Sequence, residues 1–199
     1  MTFQEFVLKV QQIAKIGLLY SKDPYAIDNY QSLEKLSCDM LNEHLEDFTI
    51  TKNIFERDVY PTPSSSVRVL VFNDQEELLI VKESDGGGAV PGGWCEIYMD
   101  LKENAKKECK EEANVDIELG RLLAIFRREY YKDYPAICSE YAHYFVAKAT
   151  SFDLQCNHET NDVQFFPLDA LPSLSRKNSK KELDKALEVY KNKLDVYCD

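Results

Sequence analysis

The chain has 199 residues, a formal net charge of −11 and an apolar fraction of 44%. That length suffices for one full core with a smaller attached unit, and the composition is ordinary for a globular protein. The acidity argues against bulk attraction to nucleic acid or to an anionic membrane, and no apolar run approaches the roughly 18 residues that span a bilayer.

The first third is helical in period. Phe3, Phe6, Val7, Val10, Ile13, Ala14 and Gly17 recur at spacings of three and four, which predicts an amphipathic helix over residues 2–19. Asp23 can cap a second helix with Pro24 at its first position, and Tyr30, Leu33, Leu36, Cys38 and Leu41 carry it to about His44. A short third helix is expected over residues 52–56. Tyr20, Tyr25 and Tyr30 are expected to line this unit. Residues 1–60 are marginal as a domain and must pack on the rest of the chain or on another subunit. The run YPTPSSS, Tyr60 to Ser66, disfavours regular structure, so residues 61–66 read as a linker.

From Val67 the period becomes that of strands. Residues 67–73 and 77–83 read as a hairpin about Asn73-Asp74-Gln75. The turn AVPGGW follows, then a helix over residues 101–113. Further strands are expected at 118–131, 139–147 and 163–167. A last helix over 180–194 has Leu183, Ala186, Leu187 and Tyr190 on one face. Strands interleaved with helices place residues 67–199 in the α/β class, as an α/β/α sandwich.

The chemistry concentrates in Gly93 to Val115, GWCEIYMDLKENAKKECKEEANV. Glu108 stands one helical turn from both Glu111 and Glu112. Three carboxylates so close repel each other unless a divalent cation joins them, and oxygen-only ligands suit Mg²⁺ or Mn²⁺ with a substrate phosphate. Alone, KKECKEE reads as a solvated helix face. The glycines just before it, which can bring backbone close to a ligand, favour a site for phosphate anhydrides.

This segment resembles the Nudix box: glycine, five residues, glutamate, seven residues, arginine-glutamate, an aliphatic, any residue, two glutamates, any residue, glycine, an aliphatic. Gly93, Glu108, Glu111, Glu112 and Val115 fit without a gap. Met99, Lys107, Cys109 and Asn114 stand where the family has glutamate, arginine, an aliphatic and glycine. The family's supporting glutamate–arginine salt bridge is therefore expected to be lost as a unit, whereas Asn114 tolerates the left-handed conformation. Tyr20, Asp23-Pro24, Tyr30, Tyr60-Pro-Thr-Pro63 and Pro91 to Trp94 resemble a subgroup with an N-terminal helical unit. That subgroup hydrolyses linked nucleoside diphosphates such as ADP-ribose and CDP-choline. Asp133-Tyr134-Pro135-Ala136 stands where its members often carry His-Pro-Pro.

The resemblance implies a Nudix fold and a Mg²⁺- or Mn²⁺-dependent pyrophosphohydrolase. Glu108, Glu111 and Glu112 would be the metal ligands, with the Gly92 carbonyl a further one, and Gly93 and Trp94 would shape the turn. Products would be a nucleoside monophosphate and a phosphorylated partner. Glu108 is the first candidate for general base, Glu111 the second, with Glu159 a loop alternative. Arg68, Arg127 and Tyr134 are the candidate substrate contacts; Arg127 and Arg128 are adjacent, so only one can face the site from a strand. The subgroup also implies a homodimer joined through the helical unit. A second reading, a catalytically weak binding or regulatory protein, follows from the replaced Met99 and Lys107. RNA processing is disfavoured by the charge. Six cysteines without a C-x-x-C pair, and no leader segment, read as reduced thiols of a cytoplasmic protein.

Overall fold

The computed structural model describes residues 2–44, 50–55, 60–96, 99–132, 139–156 and 160–199. The chain forms two compact units, one built on residues 2–63 and the other on residues 64–132 and 140–199.

In the first unit, α1 (Phe3–Tyr20) and α2 (Pro24–His44) form a packed pair. Asp23 Oδ1 accepts from the Tyr25 amide at 3.1 Å, capping α2 where the sequence places its start. Val7, Ala14 and Leu41 are fully enclosed, and Gly17 lies so close under the Tyr30 ring that no side chain fits there. Residues 50–55 are not helical. The Asn53 side chain accepts from the Phe55 amide and donates to the Gln11 carbonyl at 2.9 Å, bonds that compete with a helical turn. The expected helix over 52–56 is thus absent over its described residues. Tyr30 packs inside the unit, but Tyr20 and Tyr25 face solvent, as do Phe6, Ile13, Leu36 and Met40.

The second unit is a mixed sheet between two helices. Its strands are β1 (Ser64–Phe72), β2 (Leu78–Lys82), β3 (Gly88–Ala89), β4 (Ile117–Arg127), β5 (Glu140–Ala149), β6 (Asp162–Phe166) and β7 (Tyr197–Cys198). The order is β3-β2-β1-β5-β4-β7, with β6 on β2. β1 runs parallel to β5 from Ser64↔Glu140 to Phe72↔Lys148, and β4 is antiparallel to β5. The expected hairpin is nominal: β1 and β2 share the register pair Phe72↔Leu78 and then part. β4 also stops earlier than expected, giving way at Arg128 to a 3₁₀ turn, Arg128–Tyr130.

Alternation along β1 and β2 builds a core on each face. Val67, Val69, Val71, Leu79 and Val81 pack with Ala105, Cys109 and Ala113 of α3 (Leu101–Ala113). Leu70, Phe72, Leu78 and Ile80 pack with Leu183, Ala186, Leu187 and Val189 of α4 (Lys180–Lys191). Burial on both faces explains why apolar residues fill consecutive positions from Val69 to Phe72 and from Leu78 to Val81.

Candidate active site around the glycine turn and α3

α3 starts where its sequence instructs. Asp100 Oδ1 accepts from the amides of Lys102 and Glu103 at 2.8 Å, and Glu103 Oε2 accepts from the Asp100 amide at 2.8 Å, a reciprocal cap. It ends at Asn114, which adopts the left-handed conformation (φ 50°) expected in place of glycine. Ala105, Cys109 and Ala113, four apart, seat the helix on the sheet. Glu108 and Glu112 flank that stripe one turn apart, and Glu112 is only 3% exposed. Glu111 is rotated outward into solvent.

The glycine turn meets this face because it anneals to β1 on the side β2 vacates. Val69 donates to the Pro91 carbonyl, Val67 to the Gly93 carbonyl and Cys95 to the Ser65 carbonyl, each at 2.9 Å. Gly92 sits at φ 152°, and a Cβ there would press into the backbone of Val67 and Arg68. Its amide donates to Glu112 Oε2 at 3.1 Å. A Cβ on Gly93 would meet both Glu108 oxygens at 2.7 Å. Asn104, fully enclosed, ties the turn to the helix: its Oδ1 accepts from the Glu96 amide and its Nδ2 donates to the Met99 and Asp100 carbonyls. Trp94 bridges to Ser66 in the backbone but is 53% exposed, so it does not pack beneath the turn.

The electrostatics separate the three glutamates. Burial, then the charge of Glu112, pushes the Glu108 carboxyl up to about 7. Burial also raises Glu112, opposed by Lys177 and the Gly92 amide. Glu111 pairs with Lys107, whose ammonium also lies 3.2 Å from Glu96. Met99 offers no acid, so the family's pair at positions 99 and 107 is missing as expected, and Lys107 turns to Glu111 and to half-exposed Glu96 instead. Among the described residues, no group of three or more His, Cys, Asp or Glu side chains converges closely enough to hold a metal as it stands.

Two further charged groups adjoin the turn. Lys177, in the loop before α4, hydrogen-bonds Glu112 and lies 2.9 Å from Glu83 at the end of β2. Arg68 and Arg128 flank the enclosed Glu140. Arg68 lies 3.8 Å from Glu140 and donates to the Val67 carbonyl at 2.7 Å, while its enclosed Nε has no hydrogen-bond partner. Arg128 lies 3.3 Å from Glu140 and 3.1 Å from Glu182. Burial works against ionisation of Glu140, but Arg128, Ser66 and Arg68 outweigh it and hold the carboxyl low.

Of the adjacent arginines, Arg128 enters the interior. Arg127 stacks on Tyr130, with its guanidinium 4.5 Å from the ring, and donates to the Tyr130 hydroxyl at 2.7 Å. Its side chain also lies 3.4 Å from Glu129. Tyr134 and Glu159 lie outside the described residues. Asn104, Lys177 and Glu83 carried no sequence signal, being polar residues in polar surroundings. Arg128 was legible only as one of two alternatives.

A family model described as the NUDIX domain matches residues 62–188, and one described as the UDP-X-like N-terminal oligomerisation domain matches residues 2–48. The Bacillus subtilis (strain 168) protein YjhB, whose name provisionally makes it an ADP-ribose pyrophosphatase, is 35% identical over 86% of this chain and 83% of its own. The crystal structure of an ADP-ribose pyrophosphatase from Streptococcus suis 89-1591 is 31% identical with TM-score 0.61, over 69% of this chain and all of that one. That of a UDP-X diphosphatase is 27% identical with TM-score 0.65, over 99% of this chain and 98% of that one. With the box spacing kept and α3 laid against the glycine turn, the chain belongs to the Nudix family of pyrophosphohydrolases, in the form that carries a UDP-X-like N-terminal domain.

Proposed function

We propose that this protein uses Mg²⁺ or Mn²⁺ to hydrolyse the pyrophosphate of a nucleoside diphosphate linked to another group, ADP-ribose and CDP-choline being the leading candidates. The products are a nucleoside monophosphate and a phosphorylated partner. The observation that carries this reading is the pairing of Glu108 and Glu112 beside a turn whose glycines leave no room for side chains.

The residues suit a hard divalent ion. The donors are all oxygen, and Glu108 and Glu112 are like charges forced together, which a cation relieves. The Gly92 carbonyl, outside the ladder with β1, can join them; Glu111 can do so on leaving Lys107. Once bound, such an ion offsets diphosphate charge and makes water more acidic. Glu108, beside the glycine turn and half-buried next to Glu112, is the first candidate to accept the proton of the attacking water. Glu111 is the second candidate. Arg68, whose backbone lies against the glycine turn, is the candidate cation for phosphate, and exposed Trp94 can lie along a base. The apolar face of α1 and α2 is the candidate homodimer surface.

No helix of the described chain is long and apolar enough to cross a membrane. The test is incubation with Mg²⁺ or Mn²⁺ and a panel of ADP-ribose, CDP-choline, nucleotide sugars, dinucleoside polyphosphates and nucleoside triphosphates. The reading requires selective cleavage of a linked diphosphate that chelation abolishes. Metal binding without turnover across the panel would contradict it.

A further inference from the structure

The loop before α4 holds one cation against the acids of α3. The Lys177 ammonium hydrogen-bonds Glu112 and lies 2.9 Å from Glu83 Oε1. That oxygen is enclosed, so the ammonium faces it across a desolvated gap. The lysine side chain is 19% exposed, as is that of Glu83. The three groups come from separate elements: the end of β2, the last turn of α3 and the loop before α4.

The lysine backbone is fixed rather than draped. Arg128 Nη2 donates to the Lys177 carbonyl at 2.8 Å, and the Lys177 amide donates to Ser175 Oγ at 3.0 Å. Next to it, Asn178 Oδ1 accepts from the Val90 amide at 2.9 Å, two residues before Gly92. Across the same gap the Ser175 amide donates to the Gly88 carbonyl and the Gly88 amide to the Ser173 carbonyl, each at 2.8 Å. Bonds at this density hold the loop against the glycine turn, so the ammonium is aimed at Glu112 by the scaffold.

Glu112 also receives the Gly92 amide on its other oxygen. Both of its oxygens therefore have donors before any metal arrives. A divalent ion and an ammonium both need the negative charge of Glu112, and an ammonium donates only hydrogen bonds whereas a metal needs lone pairs.

We propose that Lys177 is a built-in competitor for the metal. Its ammonium occupies the Glu112 carboxylate, braced by Glu83, and a divalent ion must displace it to bind there. This rests on the metal-dependent reading above and adds to it a threshold. The site would fill only when the free ion is abundant enough to overcome the internal cation, and the released ammonium would then stand beside the diphosphate site. The energetic form is that of any ligand whose competent state is partly populated, with the apparent dissociation constant raised by the inverse of the open fraction.

The experiment measures Mn²⁺ binding directly, by the electron-paramagnetic-resonance signal of free Mn²⁺ during titration, with no substrate present. Lys177→Met should bind Mn²⁺ about tenfold more tightly than the wild type, as expected if the open fraction is about one tenth. Equal or weaker binding by Lys177→Met would overturn the proposal. A second measurement needs no variant. The acetylation rate of Lys177 by acetic anhydride, followed by peptide mass spectrometry, should rise when Mn²⁺ is added, while exposed Lys180 stays constant. A rate that is unchanged or lower with Mn²⁺ would overturn the proposal too. Wild type and variant both failing to bind Mn²⁺ would instead sink the metal-dependent reading itself, so the two failures are distinguishable.

Discussion

Gly93 and Glu108 are opposed so closely that a Cβ on the glycine would stand 2.7 Å from both carboxylate oxygens. The flexible end of Glu108 must therefore move if residue 93 gains a side chain. Gly93→Ala should fold, because the clash is with a side-chain tip rather than backbone. Its kcat should fall by about 10²-fold, the scale of loss for a displacement near 1 Å. Steady-state kinetics beside a thermal melt check this; unchanged kcat would show that the Glu108 position is unimportant.

Glu108 also sets a pH dependence. Its folded carboxyl titrates at about 7, lifted first by burial and then by Glu112. The unfolded group titrates in the ordinary carboxylate range, so between that range and about 7 the folded state holds the extra proton. Stability of the metal-free protein should accordingly fall as pH rises through that window and then level off. Mn²⁺ affinity should rise over the same window, because the ligand must be ionised. Melts and Mn²⁺ titrations at pH 5, 6, 7 and 8 would expose either sign being wrong.

Arg128 is enclosed between Glu140 and Glu182, and it fastens the Lys177 carbonyl. Arg128→Met leaves two enclosed carboxylates short of their partner. The expected loss is about 3–5 kcal/mol, the usual consequence of breaking a buried pair from one side. Urea denaturation measures it. A loss below about 1 kcal/mol would place this network among the weak, surface-like ion pairs.

At the end of α3, Asn114 holds φ 50°. Asn114→Gly should be close to neutral, whereas Asn114→Val should cost about 1–2 kcal/mol for the left-handed conformation. Equal melting temperatures for the two variants would contradict the capping role.

What the sequence disclosed and what it hid follow from the range of the interactions. α3 was legible to the residue because its cap, its sheet-facing stripe and its end are local in sequence. That residues 67–73 and 77–83 form strands was legible for the same reason, but which side chains meet α3 and which meet α4 was not. The glycine turn's pairing with β1 was not, since a strand pattern names no neighbour and the adjacent β2 was the natural guess. Lys107 finds Glu111 one turn on, as helical spacing allows, whereas its contact with Glu96 across the start of α3 has no local signal. Lys177 comes to Glu112 from 65 positions away along the chain, and nothing in RKNS announces it. The apolar residues of α1 gave the helix correctly, but periodicity does not say which apolar face meets α2 and which is left to solvent.

The most direct test of the account is the Glu108→Gln variant, assayed for Mg²⁺-dependent cleavage of ADP-ribose and CDP-choline and for stability at pH 8. Its kcat on the substrate the wild type cleaves should fall by about 10²–10⁴-fold, the range for loss of a general base. The metal-free variant should also be more stable than the wild type, because half-buried Glu108 no longer repels Glu112. Wild-type turnover retained by Glu108→Gln, or a variant less stable at pH 8, would contradict the role assigned to Glu108.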